Sequence, residues 1–322
     1  MLGQTSAHKC KDDSGVGQCK CIGDKHLVIP EGCYANAIPF FQEHGEIDAE
    51  LTGKYGISLA KTGVAGFLVG GCDDEVGWPQ PTSQAFEDHI RTLRAGLNSQ
   101  GYDETLILAA ICARTAAEAI KLCTSALNSG ASHALLLPPF QSRFNNGDGL
   151  VSFFREVSET SPISIVLCDA VERAGGHSAD IEGLITLLEH SNIAGICLPS
   201  GDLDKLQRLK LRVCPNRVRI FVGTSLTYLP SLQLGGHGTI SPMVNIAPKA
   251  HKKIWLSSKN NGTAAQTMQR ILEQAETEAK ELGMATVIRT IVREMSMLGS
   301  VEDTRFGSEL EDLLTLEKSL DA

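Results

Sequence analysis

Eight short apolar runs, each closed by Gly, Pro, Asp or Asn, constrain this chain more than any other feature. They fall at residues 32–41, 64–71, 106–112, 133–139, 163–169, 193–199, 218–223 and 238–242. Runs this short read as strands, and their apolar character on both faces suits a parallel sheet covered by helices. Longer segments of helical period separate them, the alternation expected of repeated βα units. Within residues 115–129, for example, Ala119, Leu122, Cys123 and Ala126 recur at the spacing of a helix packed on a barrel. Eight such units predict a closed (β/α)8 TIM barrel. After Ala247 the pattern is helical only, over residues 263–298 and again near 309–320. The expected organisation is a leader over 1–30, the barrel over 31–248 and a C-terminal helical extension over 249–322.

Composition narrows the function classes. At roughly 150 residues per domain, 322 residues allow one large barrel, and 42% hydrophobic with 21% charged residues excludes a disordered chain. A net charge of -9 with no basic run predicts no nucleic-acid partner. No apolar window reaches the 18 or so residues of a membrane span, and the first 30 residues lack the apolar core of a signal peptide. A cytoplasmic protein without membrane partners is expected, its ten cysteines reduced. Cys10, Cys19, Cys21 and His26 lie in the leader, where a zinc clip competes with an extended tail; the spacing fits no paired Cys-x-x-Cys pattern, so no metal is expected.

Barrel active sites are built where the strands end at their carboxyl side. Here those ends are Gly70-Gly71-Cys72-Asp73-Asp74-Glu75, Cys112, Cys168-Asp169 and Cys197 before Pro199-Ser200-Gly201-Asp202. Thiols therefore gather at one end of the barrel.

Several stretches, in order, resemble the dihydrodipicolinate synthase and N-acetylneuraminate lyase family of class I pyruvate aldolases. They are residues 35–40 with His44-Gly45-Glu46-Ile47-Asp48, residues 63–75, Thr115-Ala116-Ala117-Glu118-Ala119-Ile120, and Asn192-Ile193-Ala194-Gly195-Ile196 with Ser200-Gly201-Asp202. Residues 229–248 add the Leu-Pro, Gly-x-x-Gly, Ile-Ser and Asn-x-x-Pro spacing. The resemblance implies a Schiff-base chemistry, in which a lysine of the sixth strand attacks a 2-oxo acid and the iminium stores electrons. It also implies a homotetramer or homodimer. Aligned on these motifs, the lysine position is Cys197 and the strand-five tyrosine position is Cys168. The carboxylate-binding threonine pair becomes Cys72-Asp73, and the second tyrosine of Pro-Tyr-Tyr becomes Gln141. Arg173 falls where the family arginine binds a substrate carboxylate, and Ser241 lies in the Ile-Ser motif.

No lysine occurs between Lys121 and Lys205, and within residues 31–112 only Lys54 and Lys61 occur. An iminium mechanism is therefore not expected. A thiol at Cys197 can add to a carbonyl, but the thiohemiketal carries no cationic nitrogen and is no equivalent electron sink. Cys72, Cys112, Cys168 and Cys197 admit three readings: apolar filler, a reactive thiol at Cys168 or Cys197, or a metal site. With no histidine evident in those loops, metal and cofactor are both expected to be none. Asp73, Asp74 and Asp169 are either general acids and bases or solvated loop caps. Arg173 binds a carboxylate or pairs with Glu172 or Asp169. Glu75 and His237 read as structural, and His177 as a solvated loop residue near the entrance.

Two functions follow. The first is a lyase, dehydratase or cyclase without a Schiff base, acting on a small carbonyl or carboxylate metabolite. Its catalytic candidates are Cys197, Cys168, Asp73 and Asp169, and its substrate-binding candidates Arg173, Cys72, Gln141 and Ser241. The second is a catalytically inactive relative that binds a metabolite or regulates an active partner.

Overall fold

The computed structural model describes residues 28–71, 84–139, 147–171, 178–258, 263–298 and 307–320. Eight parallel strands close into a barrel in chain order: β1 (Gly32–Asn36), β2 (Gly66–Val69), β3 (Leu106–Ile111), β4 (His133–Leu136), β5 (Ser164–Cys168), β6 (Ile193–Leu198), β7 (Arg219–Val222) and β8 (Gly238–Ser241), which pairs back onto β1. Every strand lies inside one of the apolar runs, trimmed by the turn residues that bound it. Helices α1 (Ala49–Thr62), α2 (Gln84–Ser99), α3 (Ala116–Ser129), α4 (Gly147–Thr160), α5 (Ile181–Leu188), α6 (Leu203–Lys210) and α7 (Tyr228–Gln233) follow the first seven strands in turn. After β8 and a short 3-10 turn come α8 (Pro248–Ser257), α9 (Thr263–Glu281), α10 (Met284–Leu298) and α11 (Ser308–Ser319). Among the described residues no helix is long and apolar enough to cross a membrane.

Local chemistry sets the helix ends. The side chains of Asp48, Thr115, Asp180 and Asp202 accept backbone N–H bonds in the first turns of α1, α3, α5 and α6, each worth about 1 kcal/mol. Residues 263–298, expected as one helical stretch, divide into α9 and α10. Gly283 adopts the left-handed conformation at φ 89°, which stops α9 as a glycine just past a helix end commonly does.

Strand alternation sorts side chains into two cores. Tyr34, Leu68, Leu108, Leu135, Val166, Phe221 and Ile240 fill the lumen, joined from before β1 by Ile29. Their neighbours Phe67, Ile107, Leu136, Leu167, Ile196 and Val222 face the helices. Burying each such side chain contributes roughly 1.5–3 kcal/mol.

Side chains of the C-terminal helices grip the barrel's backbone. Glu317 of α11 accepts from the N–H groups of Lys249 and Ala250 at 2.8 and 3.0 Å, capping α8. Glu276 of α9 accepts from Ser225 N–H at 2.6 Å and from the Thr224 hydroxyl, in the loop after β7. Gln269 of α9 donates to Ser225 O at 2.7 Å and accepts from Leu229 N–H at 3.0 Å.

Three of the four buried histidines among the described residues make this packing sensitive to acid. His89 of α2 is fully buried, with neither ring nitrogen hydrogen-bonded among the described residues. His237 accepts from Ile220 N–H through Nδ1 at 3.0 Å. His251 lies between Ser225 Oγ at 2.9 Å and Ala247 O at 2.7 Å. Burial pushes each from the ordinary 6.5 down to about 4, with Arg219 and Lys210 adding to the effect at His237. Because the folded pKa lies below the unfolded one, the unfolded chain takes up protons first. The stability these imidazoles confer is complete above pH 6.5 and is lost as pH falls to about 4. Urea titrations across that interval are expected to show stability falling with pH, by on the order of 1 kcal/mol per pH unit for each imidazole. His89→Leu removes one contribution and flattens the slope; an unchanged slope would mean that His89 is already protonated in the fold.

Candidate active site

The ends of β5 and β6 form the centre of the candidate site. Cys168 and Cys197 are paired residues on these neighbouring parallel strands. Both are buried, at 4% and 3% exposure, and both belong to the lumen core rather than the helix-facing one. Phe221 of β7 pairs with Cys197 on the other side. Burial drives the Cys197 thiol well above its ordinary pKa, and the nearby Cys168 and Asp169 push the same way. Near neutral pH Cys197 is a neutral thiol, a poor nucleophile.

Asp169 directly follows Cys168, and its N–H donates to Cys197 O at 3.0 Å, continuing the ladder. Its side chain lies just past the end of β5. There it meets Lys205 of α6, with Nζ at 2.5 Å from Oδ2, and Ser178, whose Oγ donates to Oδ1 at 3.0 Å. The pair is 16% and 9% exposed. The Ser200-Gly201-Asp202 motif positions this lysine. Gly201 turns at φ 72° against Thr227, where a Cβ would collide, and Asp202 then caps α6 by accepting from Lys205 N–H at 2.9 Å. A lysine ammonium thus reaches the residue beside Cys168 and is bound there to a carboxylate.

Ser241 ends β8, is fully buried, and alternates with the lumen residue Ile240. Its Oγ accepts from Met243 N–H at 3.2 Å and lies 3.4 Å from Ser225 Oγ. It belongs to the polar layer that joins β7, β8, His251 and α9. Cys112 follows β3 and is partly exposed. Cys72, Asp73, Asp74, Glu75, Gln141, Glu172, Arg173 and His177 lie outside the described residues.

Two further groups escaped the sequence reading. Asn36 ends β1 on the parity of the lumen residue Tyr34, and its Oδ1 is buried without a hydrogen-bond partner among the described residues. Asn245 explains the Asn-x-x-Pro spacing. Its Nδ2 donates to Asn36 O at 2.9 Å and to Pro242 O at 3.0 Å, and its Oδ1 accepts from Tyr55 OH at 2.6 Å. This fastens β1 to the chain after β8 at the end of the barrel that carries the site. A polar residue closing a strand was the available signal for Asn36.

The sequence profile of the dihydrodipicolinate synthetase family matches residues 31–307. The chain belongs to this family. Among curated relatives, the L-threo-3-deoxy-hexylosonate aldolase of Hypocrea jecorina is 30% identical over 275 residues, covering 81% of this chain and 87% of the relative. The probable mitochondrial 4-hydroxy-2-oxoglutarate aldolase of Emericella nidulans is 28% identical over 267 residues, covering 81% and 84%. Among solved structures, a dihydrodipicolinate synthase of Bacillus anthracis superposes with a TM-score of 0.76 at 16% identity over 91% of this chain and 99% of its own. A putative family member from Coccidioides immitis gives 0.72 at 21% identity, over 91% and 99%. At such identities the structures speak for the barrel alone.

Breaking the ion pair exposes its strength. Lys205→Met leaves the Asp169 carboxylate largely buried and uncompensated, and is expected to destabilise the fold by roughly 1–3 kcal/mol in urea titrations. Adding Asp169→Asn should recover part of that loss; strictly additive effects would show that the two side chains do not interact.

Proposed function

We propose that this barrel acts on a small carbonyl or carboxylate metabolite as a lyase, dehydratase or cyclase, without an enzyme-bound iminium. The observation that carries the reading is the thiol pair in the lumen at β5 and β6, with the nearby Lys205 ammonium bound to the Asp169 carboxylate. An ammonium bound to a carboxylate has no lone pair with which to attack a ketone. On this reading Cys197 stands where the family lysine would be. Electrons released at the carbon next to a carbonyl must then be stabilised by hydrogen bonds and proton transfer.

In the proposed site, Asp73 supplies the acid–base group and Arg173 holds a substrate carboxylate, with Cys72 and Gln141 as further substrate-binding candidates. Cys168 and Cys197 form the apolar wall beside the carbonyl, with Cys197 held as a neutral thiol. Asp169 works through Lys205, fixing the β5 end and the start of α6. Ser241 contributes through the polar layer behind β8. The unpartnered Oδ1 of Asn36 is suited to accept a hydrogen bond from a substrate hydroxyl. The substrate panel begins with 3-deoxy-hexylosonate and 4-hydroxy-2-oxoglutarate, which the names of two fungal relatives carry.

The second reading is a catalytically inactive family member that binds a metabolite or regulates an active partner. It is favoured by two of the same facts: the Cys197 thiol is held neutral by burial, and Asp169 is neutralised by Lys205.

Incubation with pyruvate and borohydride should leave the intact mass unchanged, whereas a reduced pyruvyl adduct would overturn both readings. Turnover of a panel oxo acid or enone, abolished by Asp73→Asn combined with Cys197→Ala, supports the enzyme. Saturable metabolite binding with no turnover supports the inactive relative.

A further inference from the structure

We propose that Cys168 and Cys197 together form a two-sulfur site for a soft, thiophilic, divalent d10 metal ion that is satisfied by two ligands, of the Hg(II) type. The argument begins with strand register. Paired residues on adjacent parallel strands have Cα atoms about 4.8 Å apart and side chains on one face. Cys168 and Cys197 are such a pair, and both face the lumen. That spacing lies within the Cα range of disulfides, roughly 4.4–6.8 Å, so an air-formed disulfide is the competing state that the test must separate. A bridging ion fits the same spacing. Two metal–sulfur bonds of about 2.3 Å, the length found for zinc thiolates, span up to ~4.6 Å, close to the strand spacing itself.

The surroundings select the type of ion. Among the described residues no group of three or more His, Cys, Asp and Glu is arranged to hold a metal, so the four-ligand shell of structural zinc is not assembled here. Thiolate ligands favour soft ions, and the lumen around the pair is apolar, with Val166, Ala194 and Phe221 in the same cluster. A divalent ion binds as M2+ + 2 RSH → M(SR)2 + 2 H+: two S–H bonds break, two M–S bonds form and no electron is transferred. The product is neutral, which suits a low-dielectric cavity. This site stands whether or not the barrel is catalytic, and its test reads binding alone.

The test uses the full chain carrying Cys10→Ser, Cys19→Ser and Cys21→Ser, so that the leader thiols do not compete. One equivalent of Hg(II) is added, excess monothiol removes singly bound metal, and native mass spectrometry counts what remains. The expected result is one retained ion in place of two protons, with two fewer thiols alkylated afterwards and the protected peptides containing Cys168 and Cys197. Either Cys168→Ala or Cys197→Ala should abolish retention as completely as the double variant. Thiol protection in the chain with both cysteines intact remains decisive even if a variant folds poorly. Retention that survives the loss of either cysteine, protection of another pair, or an air-formed Cys168–Cys197 disulfide that excludes the ion would overturn the proposal.

Discussion

Closure of eight parallel strands dictates where chemistry can sit in this molecule. Once β8 pairs with β1, every strand has a lumen face and a helix face, and a one-residue difference in position decides which environment a side chain meets. Cys168 and Asp169 show the consequence. The thiol enters an apolar lumen, while the adjoining carboxylate pairs with an ammonium and a hydroxyl.

The C-terminal helices take part in this arrangement. Glu276 and Gln269 of α9 bind the backbone of the loop after β7, and Glu317 of α11 caps α8. Buried carboxylates that accept several N–H bonds form strong, directional anchors. The extension therefore fixes a loop at the same end of the barrel as the candidate site.

Much of the fold was legible in the sequence because its signals are local. The eight apolar runs contain the eight strands, and Thr115 marks the start of α3 through its own hydroxyl. The division of residues 263–298 was also marked locally, by Gly283, although the amphipathic period on either side conceals it. The site was legible only in part. Positions of Cys168 and Cys197 followed from the strand pattern, but the contact between Asp169 and Lys205 bridges 36 residues and has no periodic signature. The Ser225–Glu276 bond spans 51 residues, and the role of Ser241 in the polar layer depends on helices that follow it in the chain. Long-range polar pairing is set by how elements dock, and spacing within one element does not encode it.

Restoring an amine at the β6 position tests the central claim most directly. Cys197→Lys and the unaltered chain would each be treated with pyruvate and borohydride, digested, and mapped by mass spectrometry. The account predicts a reduced pyruvyl group on the introduced lysine and none anywhere in the unaltered chain. Modification of Lys205 in the unaltered protein would contradict it, because an amine now assigned to an ion pair would then be the nucleophile.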